Sequence, residues 1–136
     1  MTIIGYHASH EQFSPSELLQ YVRLASDAGF EAAKSSDHFH PWSERQAQSG
    51  FAWAWLGAAM QATNLPFGTI VAPGYRYHPA IVAQAAATLA EMFPQRFWLR
   101  WVLARRSTRR SLACLGPTNP SATPVCWNPW RSYGRF

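Results

Sequence analysis

The chain has 136 residues, of which 48% are hydrophobic and only 14% are charged, a composition that fits one globular domain with a modest core. Its apolar runs are broken well short of the roughly 18 residues that a membrane span needs, which excludes a transmembrane protein. The amino terminus lacks the basic and apolar regions of a secretory signal, and two cysteines make a poor disulfide framework. The sequence therefore predicts a cytoplasmic protein.

The net charge of +5 averages two unlike segments. Residues 1–97 hold five Lys or Arg against seven Asp or Glu, whereas residues 98–136 hold seven Arg and no acidic residue. All five histidines lie in the first segment, and both cysteines lie in the second. The sequence therefore predicts an ordinary domain over 1–97 and an Arg-, Pro- and Ser-rich tail over 98–136 whose charge needs its own explanation.

Residues 1–97 alternate between strand and helix signals in chain order. Short β-prone runs predict four strands, which lie near 2–7, 31–35 and 67–72 and from Phe97 onward. Apolar residues at helical spacing predict three helices, which cover 15–28, 51–63 and 79–92. This order is typical of a parallel α/β fold. An eight-stranded barrel needs about 250 residues, so this chain can supply at most half of one.

Local signals mark the ends of two of these helices. Ser14 stands in the N-cap position, with Pro15 at the first helical position and Glu17 placed to complete a capping box. Gly29 suits the left-handed position that ends the same helix, and Pro79 opens the third helix.

Polar and aromatic residues gather after the predicted strands, which is the edge where parallel α/β folds place their sites. His7 and His10 follow the first strand, and Asp37, His38 and His40 follow the second. Imidazole and carboxylate groups are good zinc ligands, so a metal-dependent barrel hydrolase is one alternative. The third strand, however, is followed by no His, Asp or Glu. His10 and His40 are therefore expected to be solvated loop histidines.

The tail suggests a second alternative, a basic nucleic-acid-binding module. Its arginines are interleaved with Trp101, Trp127 and Trp130, a pattern typical of a phosphate-binding strip with stacking platforms.

Five ordered blocks within residues 1–97 carry a resemblance to a known family. They are GYH at 5–7, SDHFHPW at 36–42, GTIVAP at 68–73, RYHPA at 76–80 and AQAAAT at 83–88. Together they closely resemble the luciferase-like monooxygenase superfamily, and within it the deazaflavin-dependent oxidoreductases related to glucose-6-phosphate dehydrogenases that use coenzyme F420. A neighbouring branch that uses an ordinary flavin is similar at the amino terminus.

The resemblance implies the amino-terminal half of a TIM barrel that binds coenzyme F420, or alternatively FMN, and passes a hydride to or from it. It further implies a small-molecule substrate, a homodimer in the intact family, and no metal, nucleic acid or membrane partner. His7 and Asp37 would contact the cofactor. So would the end of the third strand, where the family has a bulge with a non-proline cis peptide, which falls here at Ile70, Val71 and Ala72.

The resemblance also implies two catalytic positions. His38 would be the base that takes a proton from a substrate hydroxyl, because an imidazole titrates near neutrality. Trp42 would wall the substrate pocket, although packing against a core or an interface is equally open for it on composition alone. Trp53 and Trp55 lie in a predicted helix, and we expect them to pack in the core.

The tail departs from the family after Trp98. The family continues with ALGSGEALNE, whose glutamate is the expected general acid, whereas residues 99–110 read LRWVLARRSTRR. Back-translation of this segment in a shifted frame yields AALGSGEALNE, which indicates a frameshift near the codon of Trp98. Residues 98–136 are then expected to form a non-native, disordered or poorly packed tail, in which the arginines, Cys114 and Cys126 carry no function. Without the glutamate and the later strands, we expect a truncated and inactive chain.

Overall fold

The structure, a computed structural model, describes residues 2–72 and 76–102. The elements in chain order are β1 (Gly5–Ala8), α1 (Pro15–Asp27), β2 (Ala32–Ser35), α2 (Ala52–Ala62), β3 (Phe67–Val71), α3 (Pro79–Met92) and β4 (Phe97–Trp101). In the described ranges the four strands form one parallel sheet in the order β1-β2-β3-β4. The predicted α/β order is confirmed, with element ends that differ from the sequence prediction by at most three residues.

The predicted helix signals are present at both ends of α1. The Ser14 side chain accepts a hydrogen bond from the Glu17 backbone N–H, and the Glu17 carboxylate accepts one from the Ser14 N–H at 2.9 Å. Gly29 has a φ of 87°, a left-handed conformation that only glycine adopts readily. The capping box therefore starts the helix and Gly29 reverses the chain toward β2.

The three helices cover one face of the sheet. Alternate strand residues point to that face and join the helices in one core, which includes Ala8, Ala33, Phe67 and Val71 from the strands. Trp53 and Trp55 are 9% and 6% exposed and belong to this core, as the sequence predicts. Alternation along the strands places His7, Lys34, Ile70 and Arg100, among others, on the opposite face. Helices on one face of a parallel sheet form half of a (β/α)₈ barrel, and the opposite face is the one that lines a barrel's interior.

Two features of β3 and β4 differ from the expectations. The strand β4 extends to Trp101 and pairs with β3 along its whole length, four residues into the segment that the sequence assigns to the tail. The pairing of β3 with β4 is regular from Phe67 to Val71, and no cis peptide bond occurs in the described residues. The expected bulge is therefore not present between Phe67 and Val71, since a continuous ladder needs regular extended backbone, and the peptide bonds described there are all trans.

Residues 103–136, which hold most of the predicted tail, lie outside the described residues. In the ranges 2–72 and 76–102, every helix falls short of the length and apolar character that crossing a bilayer requires.

Candidate functional site

Three loops lie at the carboxyl edge of the sheet, because each parallel strand ends there. The loop after β1 carries His10 and Glu11, and the loop after β2 carries Asp37 and His38. The short segment between β3 and α3 carries Arg76 and Tyr77. The topology thus brings side chains from three separate parts of the sequence to one edge.

Glu11 and His38 are the first pair formed across these loops. The Glu11 carboxylate oxygen Oε1 contacts Nδ1 of His38. The Glu11 side chain is 4% exposed, whereas the His38 side chain is 41% exposed. A contact through Nδ1 leaves Nε2 as the nitrogen of His38 that can exchange a proton with another molecule.

Glu11 is held as a carboxylate by its surroundings. Its Oε2 atom accepts hydrogen bonds from Ser9 Oγ at 2.7 Å and Ser36 Oγ at 2.9 Å. Burial acts to raise the pKa of Glu11, but the hydrogen bonds from His38, Ser9, the backbone and Ser36 together lower it to about 2. A charged carboxylate therefore orients the imidazole of His38.

Contacts within the loop after β2 hold the residues around His38 in place. The Trp42 indole meets the His38 ring edge to face, with 5.0 Å between ring centroids, while the Trp42 residue is 69% exposed. The Trp42 backbone N–H donates to Gln46 Oε1 at 2.7 Å, and Ser49 Oγ donates to the Phe39 carbonyl at 2.5 Å. The structure thus places Trp42 beside the predicted base.

Asp37 belongs to a second pair, which is buried. Its Oδ1 atom lies 2.9 Å from Arg76 Nη1 and accepts a hydrogen bond from Tyr77 Oη at 3.0 Å. The Asp37 side chain is only 1% exposed, and burial raises its pKa, while Arg76 and Tyr77 act in the opposite direction. Burial and the nearby carboxylate also raise the pKa of Tyr77.

The remaining predicted cofactor positions divide between the two faces of the sheet. His7 lies on the open face, the face of the sheet opposite the three helices, with Nδ1 3.3 Å from the Lys34 carbonyl oxygen. Burial and the Lys34 charge lower the pKa of His7. Ile70 is half-buried on the same face. Val71 instead packs its side chain in the helix-covered core, and its carbonyl accepts from the Val102 N–H at 3.0 Å. Ala72 follows at the strand end.

The prediction that His10 is a solvated loop histidine is wrong. Its side chain is completely buried against Trp55, with 5.0 Å between ring centroids, and a Cβ on Gly50 would lie 2.6 Å from its Nδ1. Neither ring nitrogen has a hydrogen-bond partner in the described residues, and burial lowers its pKa to about 4. His40 is exposed, as the sequence predicts.

Sequence reasoning missed three residues of this edge, Glu11, Arg76 and Tyr77. Glu11 follows β1 as His10 does, so its position after a parallel strand was the available signal. Arg76 and Tyr77 stand in the RYHPA block, which carries the family resemblance but implies no role for either side chain. Among the residues that the structure describes, no three His, Cys, Asp or Glu are grouped to hold a metal ion.

Three comparisons with known proteins bear on this arrangement. A family model described as luciferase-like monooxygenase matches residues 2–105. The F420-dependent glucose-6-phosphate dehydrogenase of Mycolicibacterium smegmatis is 44% identical over 98 residues, which cover 71% of this chain and 29% of that protein. The enzyme of the same name from Beutenbergia cavernae is 46% identical over 101 residues, covering 73% and 30%.

A solved structure is also similar, that of an F420-dependent secondary alcohol dehydrogenase in complex with an F420-acetone adduct. The TM-score is 0.72 at 40% identity, and the match covers 82% of this chain and 38% of that chain. The chain thus spans about a third of the length of the proteins that it matches. Because the family model matches well over half of its residues, this chain belongs to the luciferase-like monooxygenase family.

Proposed function

We propose that this chain is the amino-terminal part of an oxidoreductase that moves a hydride between a hydroxyl-bearing substrate and the deazaflavin coenzyme F420. The observation that carries the proposal is the Glu11–His38 pair, which orients a half-exposed imidazole at the carboxyl edge of the sheet. The matched dehydrogenases, which share at least 40% identity with this chain, are named as F420-dependent and act on glucose 6-phosphate or a secondary alcohol.

His38 supplies the proton chemistry of this reaction. When a substrate C–OH is oxidised, the carbon gives up a hydride and the oxygen gives up a proton as the C=O bond forms. Nε2 of His38 takes that proton, because Nδ1 is engaged by the Glu11 carboxylate. The positive charge that results on the imidazole is stabilised by the buried carboxylate. Trp42 packs on the His38 ring and limits where a substrate can sit.

The residues at the open face fit a planar cofactor ring. His7 and Ile70 are both accessible there, one offering a hydrogen-bonding imidazole and the other an apolar surface. With Val71, Ala72 and the backbone of Asp37, whose side chain is 1% exposed, they are the residues that we propose to hold the ring. When bound, the deazaflavin supplies the hydride acceptor. F420 is preferred over FMN because the matched dehydrogenases are named for F420.

We propose that the codons for the later strands and for the general-acid glutamate lie in a shifted reading frame. We propose that residues 1–97 are the in-frame domain, that the frame changes near the codon of Trp98, and that residues 98–136 are its out-of-frame product. Neither matched class of enzyme supports a metal-dependent hydrolase or a nucleic-acid-binding module. A four-stranded half-barrel exposes sheet edges, so the 136-residue chain should bind F420 weakly and show no hydride transfer.

The intact enzyme is further proposed to be a homodimer that packs through α2 and α3. A groove of about 480 Å³ between these helices is lined largely by apolar side chains, including Phe51, Trp53, Ile81 and Met92. The helix α2 has no charged residue and α3 has only Glu91, so this face of two copies can pack together with little repulsion between like charges.

The experiment that tests the function compares three proteins: the 136-residue chain, a version with one base restored at codon 98 and the downstream frame, and the latter with His38→Ala. Titration of F420 fluorescence gives binding, and the loss of oxidised F420 on adding alcohols or glucose 6-phosphate gives turnover. We expect turnover only in the frame-restored protein. The His38→Ala variant should bind F420 but lose at least a hundredfold in rate.

The control is His40→Ala, because His40 is an exposed histidine in the same loop. It should leave both binding and turnover unchanged. Turnover by the His38→Ala variant at the unsubstituted rate would refute the role of His38, and tight binding of FMN without binding of F420 would refute the cofactor assignment.

A further inference from the structure

Arg76 joins two loops of the carboxyl edge at a single buried point. It follows β3, yet its Nη1 atom lies 2.9 Å from the carboxylate of Asp37, which follows β2. The next residue, Tyr77, donates a hydrogen bond to the same oxygen at 3.0 Å. The Arg76 and Asp37 side chains are 16% and 1% exposed, so solvent screens this ion pair little.

Aromatic rings from both loops surround the guanidinium. Its Cζ atom lies 4.7 Å from the centroid of Tyr77, 5.7 Å from that of Phe51 and 5.8 Å from that of Phe39. A planar guanidinium is attracted to aromatic faces and remains charged when buried, and lysine reproduces neither its shape nor its stacking. Phe39 and Phe51 stand near the two ends of the loop that carries Trp42. Arg76 therefore contacts that loop at both ends.

The Asp37 carboxylate has its partners within the protein. Its Oδ1 atom has both partners, and its Oδ2 atom is buried without a hydrogen bond in the described residues. An acceptor that is 1% exposed cannot bond a cofactor from solvent unless the side chain leaves Arg76. Its neighbour His38, in contrast, is 41% exposed.

We propose that Asp37, Arg76 and Tyr77 form a clamp that fixes the loop after β2 against the segment before α3, and that Arg76 is thereby a positioning residue for His38 and Trp42. The carboxylate of Asp37 serves as the anchor of this clamp. The consequence for catalysis rests on the proposed function, but the clamp itself is a property of the free protein.

Hydrogen–deuterium exchange of the 136-residue chain, without cofactor, tests the clamp. Arg76→Met should raise exchange in peptides from 38–50 about tenfold or more, since a buried ion pair is broken and the Asp37 carboxylate is left without its counter-charge. Peptides from α1 should keep their protection. Arg76→Lys keeps the charge but not the stacking, so its exchange should fall between those of wild type and Arg76→Met. Arg23→Met, an exposed arginine on α1, is the matched control and should change neither region.

Two further variants keep the test decisive. Tyr77→Phe removes one hydroxyl and should raise loop exchange severalfold even if Arg76→Met fails to fold. Adding Asp37→Asn to Arg76→Met should cause little further loop exchange, because both substitutions break the same contact. Wild-type loop exchange in both Tyr77→Phe and Arg76→Lys would overturn the clamp, as would fully additive effects in the double variant.

The binding of F420 separates the clamp from the proposed function. In the frame-restored protein, Arg76→Met should leave F420 binding near the wild-type level but lower kcat about tenfold, because His38 and Trp42 lose their fixed position, and Arg76→Lys should restore part of the loss. If loop exchange rises as expected but the frame-restored protein binds no F420, the clamp stands and the proposed function fails. If kcat is the same in the wild-type and Arg76→Met proteins while loop exchange rises, the positioning role is wrong.

Discussion

The Glu11 carboxylate contacts the His38 imidazole although the two residues lie in loops that follow different strands. Parallel pairing of Tyr6 with Ala33 and of Ala8 with Ser35 brings the two strand ends side by side. The His10 backbone N–H donates to Ser36 Oγ at 2.9 Å, which ties the loops together just before the pair forms. The strand register therefore sets the position of the proposed base.

Replacing Glu11 with glutamine should destabilise the chain. The carboxylate accepts from Ser9, Ser36 and His38, and an amide offers one oxygen in place of two. We expect the free energy of unfolding at pH 7 to fall by about 2 kcal/mol, the usual cost of disrupting a buried charged network. Denaturant titration measures it, with Glu44→Gln in an exposed loop position as the control. Equal stabilities of Glu11→Gln and Glu44→Gln would contradict a stabilising role for the Glu11 carboxylate.

Acidification should destabilise the protein in two overlapping steps. His10 has a folded pKa of about 4 against 6.5, so the unfolded chain binds its proton first and stability is lost as pH falls from 6.5 toward 4. Glu11 has a folded pKa of about 2 against 4.5, so its contribution is present above 4.5 and is lost as pH falls from there toward 2. The fully buried His10 accounts for up to about 3 kcal/mol of this.

Substitution of His10 separates the two steps. His10→Phe keeps an aromatic ring against Trp55 but cannot titrate, so its stability should fall less steeply than that of the wild type between pH 6.5 and 5. The slope that remains belongs to His7, whose pKa is also lowered. Thermal unfolding across a pH series gives both profiles, and His40→Phe at an exposed position serves as the control. A wild-type slope in His10→Phe between pH 6.5 and 5 would assign that step to another group.

The sequence predicts the element order well because its signals are local. Ser14, Glu17 and Gly29 act within one helix and its ends, and their roles are the ones that the structure shows. Strand alternation and the order of elements then determine which loops share an edge. No local pattern indicates which loop residues face inward. For this reason the sequence predicts a solvated His10, although the side chain is buried against Trp55.

The site partners are harder to predict for the same reason. Glu11 and His38 are 27 residues apart in sequence, and Asp37 and Tyr77 are 40 apart. Such contacts depend on loop conformation, which composition and periodicity do not encode. The family resemblance supplied His38 and Asp37 as candidates, but it gave no indication that one imidazole is half-exposed while the neighbouring carboxylate is buried.

Arg96 should be one of the larger contributors to stability outside the site. Its guanidinium donates to the carbonyls of Met60 at 2.9 Å, Thr63 at 2.5 Å and Leu65 at 3.0 Å, which lie at and just after the end of α2. Carbonyls at a helix carboxyl terminus have few hydrogen-bond partners within the helix, and a cation there is also attracted to the negative end of the helix dipole. Arg96→Met should lower the free energy of unfolding by about 2 to 3 kcal/mol.

Denaturant titration at pH 7 measures this loss, and the exposed Arg23→Met on α1 is the matched control. Arg96→Lys should recover part of the loss, because an ammonium keeps the charge but reaches fewer carbonyls. A loss in Arg96→Met no greater than in Arg23→Met would mean that water replaces the guanidinium at the end of α2 without cost.

The α2–α3 groove should determine the oligomeric state of the frame-restored protein. Ile81 is 55% exposed and lines the groove, so an aspartate there would place two like charges in the proposed homodimer interface, one from each copy. Ile81→Asp should therefore shift the protein from dimer to monomer, as measured by sedimentation velocity at micromolar concentration. Leu24→Asp is the control, because Leu24 is a 62% exposed apolar residue on α1 outside the groove, and this variant should stay dimeric. A dimer that persists in Ile81→Asp but dissociates in Leu24→Asp would place the interface on α1 instead.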